Sequence, residues 1–148
     1  MKKKLNILVV GGGMYVIGNN ANNFGTIMPA LLEARRNDIV DRIAIVTTNT
    51  SSVNKAASSI AKLAHKMGVD GACEKYPKDG HDDEGFLVAA DLFKPDAVII
   101  SVPDHLHAPI SIGLINKGYH CLVVKPMALT LNDAKKMTLA AEKTNVIM

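Results

Sequence analysis

Residues 96–126 read DAVIISVPDHLHAPISIGLINKGYHCLVVKP, and this stretch decides the fold. Asp96 to Val102 is a run of mostly β-branched apolar residues, and Pro103 closes it because proline has no N–H for a strand ladder. A helix is predicted from about His107 to Lys117, stopped by Gly118. Tyr119 to Val124 is a second apolar run, followed by Lys125-Pro126. Two such strands joined by one helix predict a parallel pair buried on both faces. In doubly wound α/β proteins, ligands lie at the carboxyl edge of that kind of sheet.

The rest of the chain extends the pattern. Leu5 to Val10 is a strand of the same continuous apolar type, and a glycine- and asparagine-rich loop, Gly11 to Gly25, is predicted behind it. Thr26 is placed to cap a helix through about Arg36, and Arg42 to Thr48 is the second strand. Ser51 or Ser52 is expected to cap a helix in which Val53, Ala57, Ile60, Ala64 and Met67 recur at helical spacing, with Gly68 ending it. A short strand is predicted near Ala72–Glu74, then a polar loop, then a helix from Glu84 to Phe93 closed before Lys94-Pro95. A last helix, Leu131 to Lys143, is introduced by Thr130 or Asn132. Val146-Ile147-Met148 reads as a strand just begun, as expected of a chain cut from something longer. The β-α alternation predicts one α/β domain over residues 1–148, a doubly wound parallel sheet between two helix layers.

Composition narrows the function. The net charge of +3 comes from scattered lysines and arginines, and the aromatic residues are only three Tyr and three Phe. Neither a basic stripe nor a base-stacking surface is legible, so no nucleic-acid partner is expected. No apolar run reaches the roughly 18 residues of a membrane span. Met1-Lys2-Lys3-Lys4 is read as a solubilising tip rather than a signal sequence. Cys73 and Cys121 match no metal or redox spacing, which fits reduced thiols in the cytoplasm.

Three motifs carry chemistry. Gly11-Gly12-Gly13-Met14-Tyr15-Val16 follows the first strand, where glycines let the backbone turn tightly and approach a pyrophosphate. It departs from G-x-G-x-x-G at Val16, and Asn19-Asn20 stand where a triphosphate-binding loop has Lys-Ser/Thr. The second strand ends in Thr47-Thr48-Asn49-Thr50, and no carboxylate occurs between Asp41 and Asp70. The acid that would bind a ribose 2′-hydroxyl is therefore missing from its usual place, and both NAD and NADP are admissible. His105 and His107 form an H-x-H on a turn, where alternate side chains do not converge, and no metal is expected there. His81-Asp82-Asp83-Glu84 reads as a solvated helix start. Lys125, after an apolar strand and before proline, is read as a partly desolvated ammonium able to meet a substrate oxygen or its proton.

The order of these pieces resembles the N-terminal domain of the glucose–fructose oxidoreductase / inositol dehydrogenase (Gfo/Idh/MocA) family. The resemblance rests on Gly11–Val16, on Ser101-Val102-Pro103-Asp104 with His107, and on Lys125-Pro126, with His107 to His120 similar to the family's helix and turn. Val124 departs from it, since the family has Glu before Lys-Pro. The resemblance implies a Rossmann fold and an NAD(P)-dependent oxidoreductase acting on a sugar, cyclitol or nucleotide-sugar alcohol. It implies Lys125 as the catalytic residue, beside the nicotinamide. Gly11, Gly13, Met14 and Tyr15 would meet the pyrophosphate, and Thr48 and Asn49 the adenosine ribose. Ser101, Pro103 and His107 would line the middle and nicotinamide side. A second domain that closes the site, absent from this chain, and a homo-oligomeric full-length protein are implied too. The alternatives are a non-catalytic dinucleotide sensor and a nucleotide-binding scaffold that has lost catalysis, the latter hinted at by Val124.

Overall fold

A computed structural model describes residues 3–19 and 23–148; Met1, Lys2 and residues 20–22, on which parts of the N-terminal tip and the long-loop expectation fall, lie outside the described residues. The strands are β1 (Leu5–Val10), β2 (Val40–Val46), β3 (Glu74–Tyr76), β4 (Ala97–Ile100) and β5 (His120–Val123). The helices are α1 (Met14–Ile17), α2 (Ile27–Arg36), α3 (Thr50–Met67), α4 (Gly85–Phe93), α5 (His107–Asn116) and α6 (Leu131–Thr144). A 3₁₀ turn, Asp104–Leu106, precedes α5.

The five strands form one sheet in the order β3-β2-β1-β4-β5, and every pair is parallel. The apolar runs follow from this geometry. Successive side chains of β1 point to opposite faces, and each face is covered. Ile7 and Val9 pack with Leu32 of α2 and Val53 and Ile60 of α3. Leu8 and Val10 pack with Phe93 of α4, Leu114 of α5 and Ala141 of α6. The fold is a three-layer Rossmann α/β/α sandwich. Between β1 and β4 the chain order reverses, and a crevice at such a switch point lies outside the carboxyl ends of the strands.

Most elements fall within two residues of expectation, and the departures have local causes. The loop expected over 11–25 holds the single-turn α1, which four residues make too short to show a period. Thr26 stands at the start of α2, but its hydroxyl makes no cap bond; it donates to the Tyr15 carbonyl (3.3 Å) and ties α2 to the glycine turn. Asn49, rather than Ser51 or Ser52, caps α3, its side-chain oxygen accepting from the Ser52 N–H at 2.8 Å. Gly68 ends that helix in the left-handed region, as predicted. Thr130 caps α6, accepting from the Asp133 N–H at 3.1 Å. Residues 146–148 form no strand. The Ile147 carbonyl takes one rung from the Cys121 N–H (2.9 Å), but its own N–H goes to the His120 ring, so the ladder stops there. Cys73 and Cys121 are free, and burial pushes both thiols up to about 12. Among the described residues no helix is long and apolar enough to cross a membrane.

Candidate dinucleotide site

The carboxyl ends of β1, β2 and β4 frame a cleft of about 950 Å³, floored by Val10 and Val46. That is the upper range of ligand pockets. The glycine turn forms one wall by steric necessity. Gly11 has φ +107°, and a Cβ there would stand 2.0 Å from the Ser101 carbonyl oxygen at the end of β4. Only glycine lets the two strand ends close up in this way. At Gly12 a Cβ would press on Thr47 and Ala56, so that side of the turn is packed as well. Gly13 differs: its Cβ direction meets nothing within 4 Å, because it faces open cleft.

The turn's main chain supplies the polar groups. Gly11 N–H donates to the Val46 carbonyl at 2.9 Å. Among the described residues, the N–H groups of Gly12, Gly13 and Met14 make no hydrogen bond to the protein. Gly13 and Met14 are exposed at the start of α1, where first-turn amides point outward without an intrahelical partner, and a row of such amides beside a side-chain-free face suits an anion. An open Gly13, unspent amides and a cleft of this volume fit the pyrophosphate half of a dinucleotide.

Gly11, Gly13, Met14, Tyr15, Thr48, Ser101 and Pro103 all line this one cleft, as the sequence reading grouped them. Three other candidates lie elsewhere. His107 is completely buried and does not face the cleft. Its Nδ1 lies 2.6 Å from the Pro126 carbonyl and its Nε2 2.9 Å from the Val102 carbonyl. It is a strut between the end of β4 and the segment after β5, because α5 starts at this residue and turns its ring inward. Asn49 is likewise absent from the lining; its amide oxygen is spent on capping α3. Lys125 is exposed rather than partly desolvated, because β5 ends at Val123 and the chain has already left the sheet. Its Nζ nevertheless lies 5.5 Å from the centroid of the Tyr15 ring, within range of a cation–π contact. Tyr15 is half exposed and lines the cleft, so the ammonium stands over the cleft's rim.

The family assignment follows from comparison with known proteins. The profile described as "Oxidoreductase family, NAD-binding Rossmann fold" matches residues 5–148. The chain belongs to the Gfo/Idh/MocA oxidoreductase family. Within it, a curated relative, 1,5-anhydro-D-fructose reductase of Ensifer adhaerens, is 40% identical over 53 residues, covering 36% of this chain and 16% of that protein. A glycosyl hydrolase family 109 protein of Shewanella sp. (strain W3-18-1) is 30% identical over 105 residues, covering 71% of this chain and 21% of its own length. Among solved structures, the WlbA dehydrogenase from Bordetella pertussis, in complex with NADH and UDP-GlcNAcA, superposes with a TM-score of 0.69 at 22% identity. That match covers 97% of this chain and 36% of WlbA, and at such identity it shows the fold. The chain thus spans well under half the length of these relatives.

The Gfo/Idh/MocA cleft holds residues that sequence reasoning passed over. Asp82, Asp83 and Glu84, read as a solvated helix start, line it together with the glycine turn, Ser52 and Phe86. The signal was the residues' place after a strand: in a parallel sheet every strand ends at the ligand edge, β3 included. Placing that strand near Ala72–Glu74, two residues early, and reading the acids only as helix-start charges hid it.

Proposed function

We propose that this chain is the cofactor half of a cytoplasmic, homo-oligomeric dehydrogenase that acts reversibly on a sugar, cyclitol or nucleotide-sugar alcohol. The observation that carries the reading is the meeting of Lys125 with Tyr15 at the rim of the cleft, across 110 residues of chain. The bound nicotinamide would take up or return the hydride from a carbinol carbon. The residues of the chain do the rest. Amides of Gly12, Gly13 and Met14 hold the pyrophosphate, and Ser101 and Pro103 bound the middle of the cleft. Lys125, held over Tyr15, donates to the substrate oxygen and helps with its proton. His107 fixes the distance between the Val102 end of the cleft and the segment that carries Lys125. The sugar-like substrate agrees with the named activities of the Ensifer and Bordetella relatives. Two unpaired thiols, Cys121 buried and Cys73 partly so, suit a reducing compartment.

Titration calorimetry of the chain with NADH and NADPH tests the binding half. Heat from at least one of them is expected, and none at millimolar ligand from a folded sample would defeat the reading. The chain alone is expected to turn over little or nothing. In the longer protein, Lys125→Ala should lower turnover by about a hundredfold or more with a smaller loss of cofactor affinity. Unchanged turnover would remove Lys125 from its role.

A second reading is favoured by the 30% identity to the Shewanella glycosyl hydrolase family 109 protein. The same domain would then serve a glycosidase that oxidises and re-reduces its sugar within one turnover, with no net change in the cofactor. Release of a glycoside's leaving group without accumulation of NADH would select this reading over a net dehydrogenase.

A further inference from the structure

We infer that the cleft selects NAD over NADP, and that Asp82, Asp83 and Glu84 make the choice in place of the missing acid after β2. The inference rests on the dinucleotide reading above and names which dinucleotide.

The adenosine ribose of a ligand in such a cleft lies by the end of the second strand. Here that end offers Thr47 and Thr48, with Ser52 at the start of α3, and no charge at all. The loop between β3 and α4 is fastened across the same place. The Thr50 N–H and hydroxyl both donate to the Gly80 carbonyl, at 3.0 and 3.1 Å. Asn49 bridges His81 in antiparallel fashion, and the Asp82 N–H donates to the Thr48 carbonyl at 2.8 Å. This lacing carries Asp82, Asp83 and Glu84 onto the wall shared with Thr47, Thr48 and Ser52.

The charges on that wall are one-sided. Among the described residues, the cleft lining holds three carboxylates and no Lys, Arg or His. Of the cations nearby in sequence, Lys75 donates to the Asn54 side chain at 2.9 Å, Lys78 lies 4.6 Å over the Tyr76 ring, and Lys55, on α3 one turn beyond Ser52, is not among the lining residues. His81 contacts Asp83 at 3.0 Å, so Asp83 is the most committed of the three. Asp82 uses one oxygen to accept from the Glu84 N–H and keeps the other. The Glu84 carboxylate makes no bond to any described residue. Free carboxylate oxygens accept from the ribose hydroxyls of NAD in charge-assisted bonds. The 2′-phosphate of NADP has no such proton to offer, and it adds negative charge to a wall that holds no cation.

The test compares NADH and NADPH affinity by fluorescence titration at low salt. It uses the chain as it stands, the Asp82→Asn/Asp83→Asn/Glu84→Gln variant, and Glu84→Gln alone, with folding followed by circular dichroism. NADH is expected to bind roughly tenfold or more tighter than NADPH. The triple variant should narrow that ratio to about threefold or less, mainly by improving NADPH, and added salt should narrow it in the unmodified chain. Asp82 supports the start of α4, so if the triple variant unfolds, Glu84→Gln decides, with a partial narrowing expected. Equal or tighter NADPH binding by the unmodified chain overturns the inference and leaves the dinucleotide reading standing. A ratio unmoved by the substitutions does the same. A folded chain that binds neither cofactor overturns both.

Discussion

The two ends of the cleft are built on different principles. The glycine turn is fixed by packing: Gly11 lies against the Ser101 carbonyl, Gly12 against Thr47 and Ala56, and the turn's free amides are presented by backbone alone. The Lys125 end is an exposed side chain beyond its strand, held in register through His107 and leaning on Tyr15. The difference separates affinity from chemistry. On the proposed reading, dinucleotide binding draws on the main-chain turn that follows β1. The proposed catalytic group sits on an arm whose surroundings are open, which suits a site completed by other residues.

Substitutions should break the two ends in different ways. The largest effect belongs to Gly11→Ala, which forces a Cβ to 2.0 Å from a carbonyl oxygen at a left-handed φ. It is expected to cost about 3–5 kcal/mol and abolish NADH binding, as read from urea denaturation and titration. His107→Leu should come next, at about 2–3 kcal/mol, because it removes a fully buried ring wedged between the Val102 and Pro126 carbonyls together with the hydrogen bond its N–H donates there. A stability unchanged by that substitution would show that the strut carries no load. Gly13→Ala sharpens the contrast with Gly11. Its φ is ordinary and its Cβ meets nothing, so stability should hold within about 0.5 kcal/mol. NADH affinity should nevertheless fall about tenfold, since the new methyl occupies the cleft. Lys125→Ala should do least to the isolated chain: stability within about 0.5 kcal/mol and little change in NADH affinity. A severe loss of stability from Lys125→Ala would mean that the arm belongs to the scaffold after all.

The fold was legible because β1, β4 and most of β2 are runs of apolar residues, and glycine or proline marks the ends of strands and helices, as at Gly11, Gly68, Pro103 and Gly118. The glycine wall of the site was legible for the same reason, since Gly11 and Gly13 follow β1 directly. What escaped depended on contacts between distant residues. His107 bonds to carbonyls 5 and 19 residues away, and nothing in an H-x-H spacing reveals that. Asn49 was one of several polar residues able to cap α3, and the choice among them depends on backbone geometry. Asp82 to Glu84 reach the cleft only because β3 lies beside β2, an adjacency that chain order does not state.

The claim beneath all of this is that unspent amides of the β1–α1 turn receive the pyrophosphate. Amide NMR of the isotopically labelled chain during NADH titration addresses it directly. The Gly12, Gly13 and Met14 resonances are expected to move furthest and downfield, with Thr48 and Ser101 following. A folded spectrum in which those three stay still while NADH binds elsewhere would contradict the account.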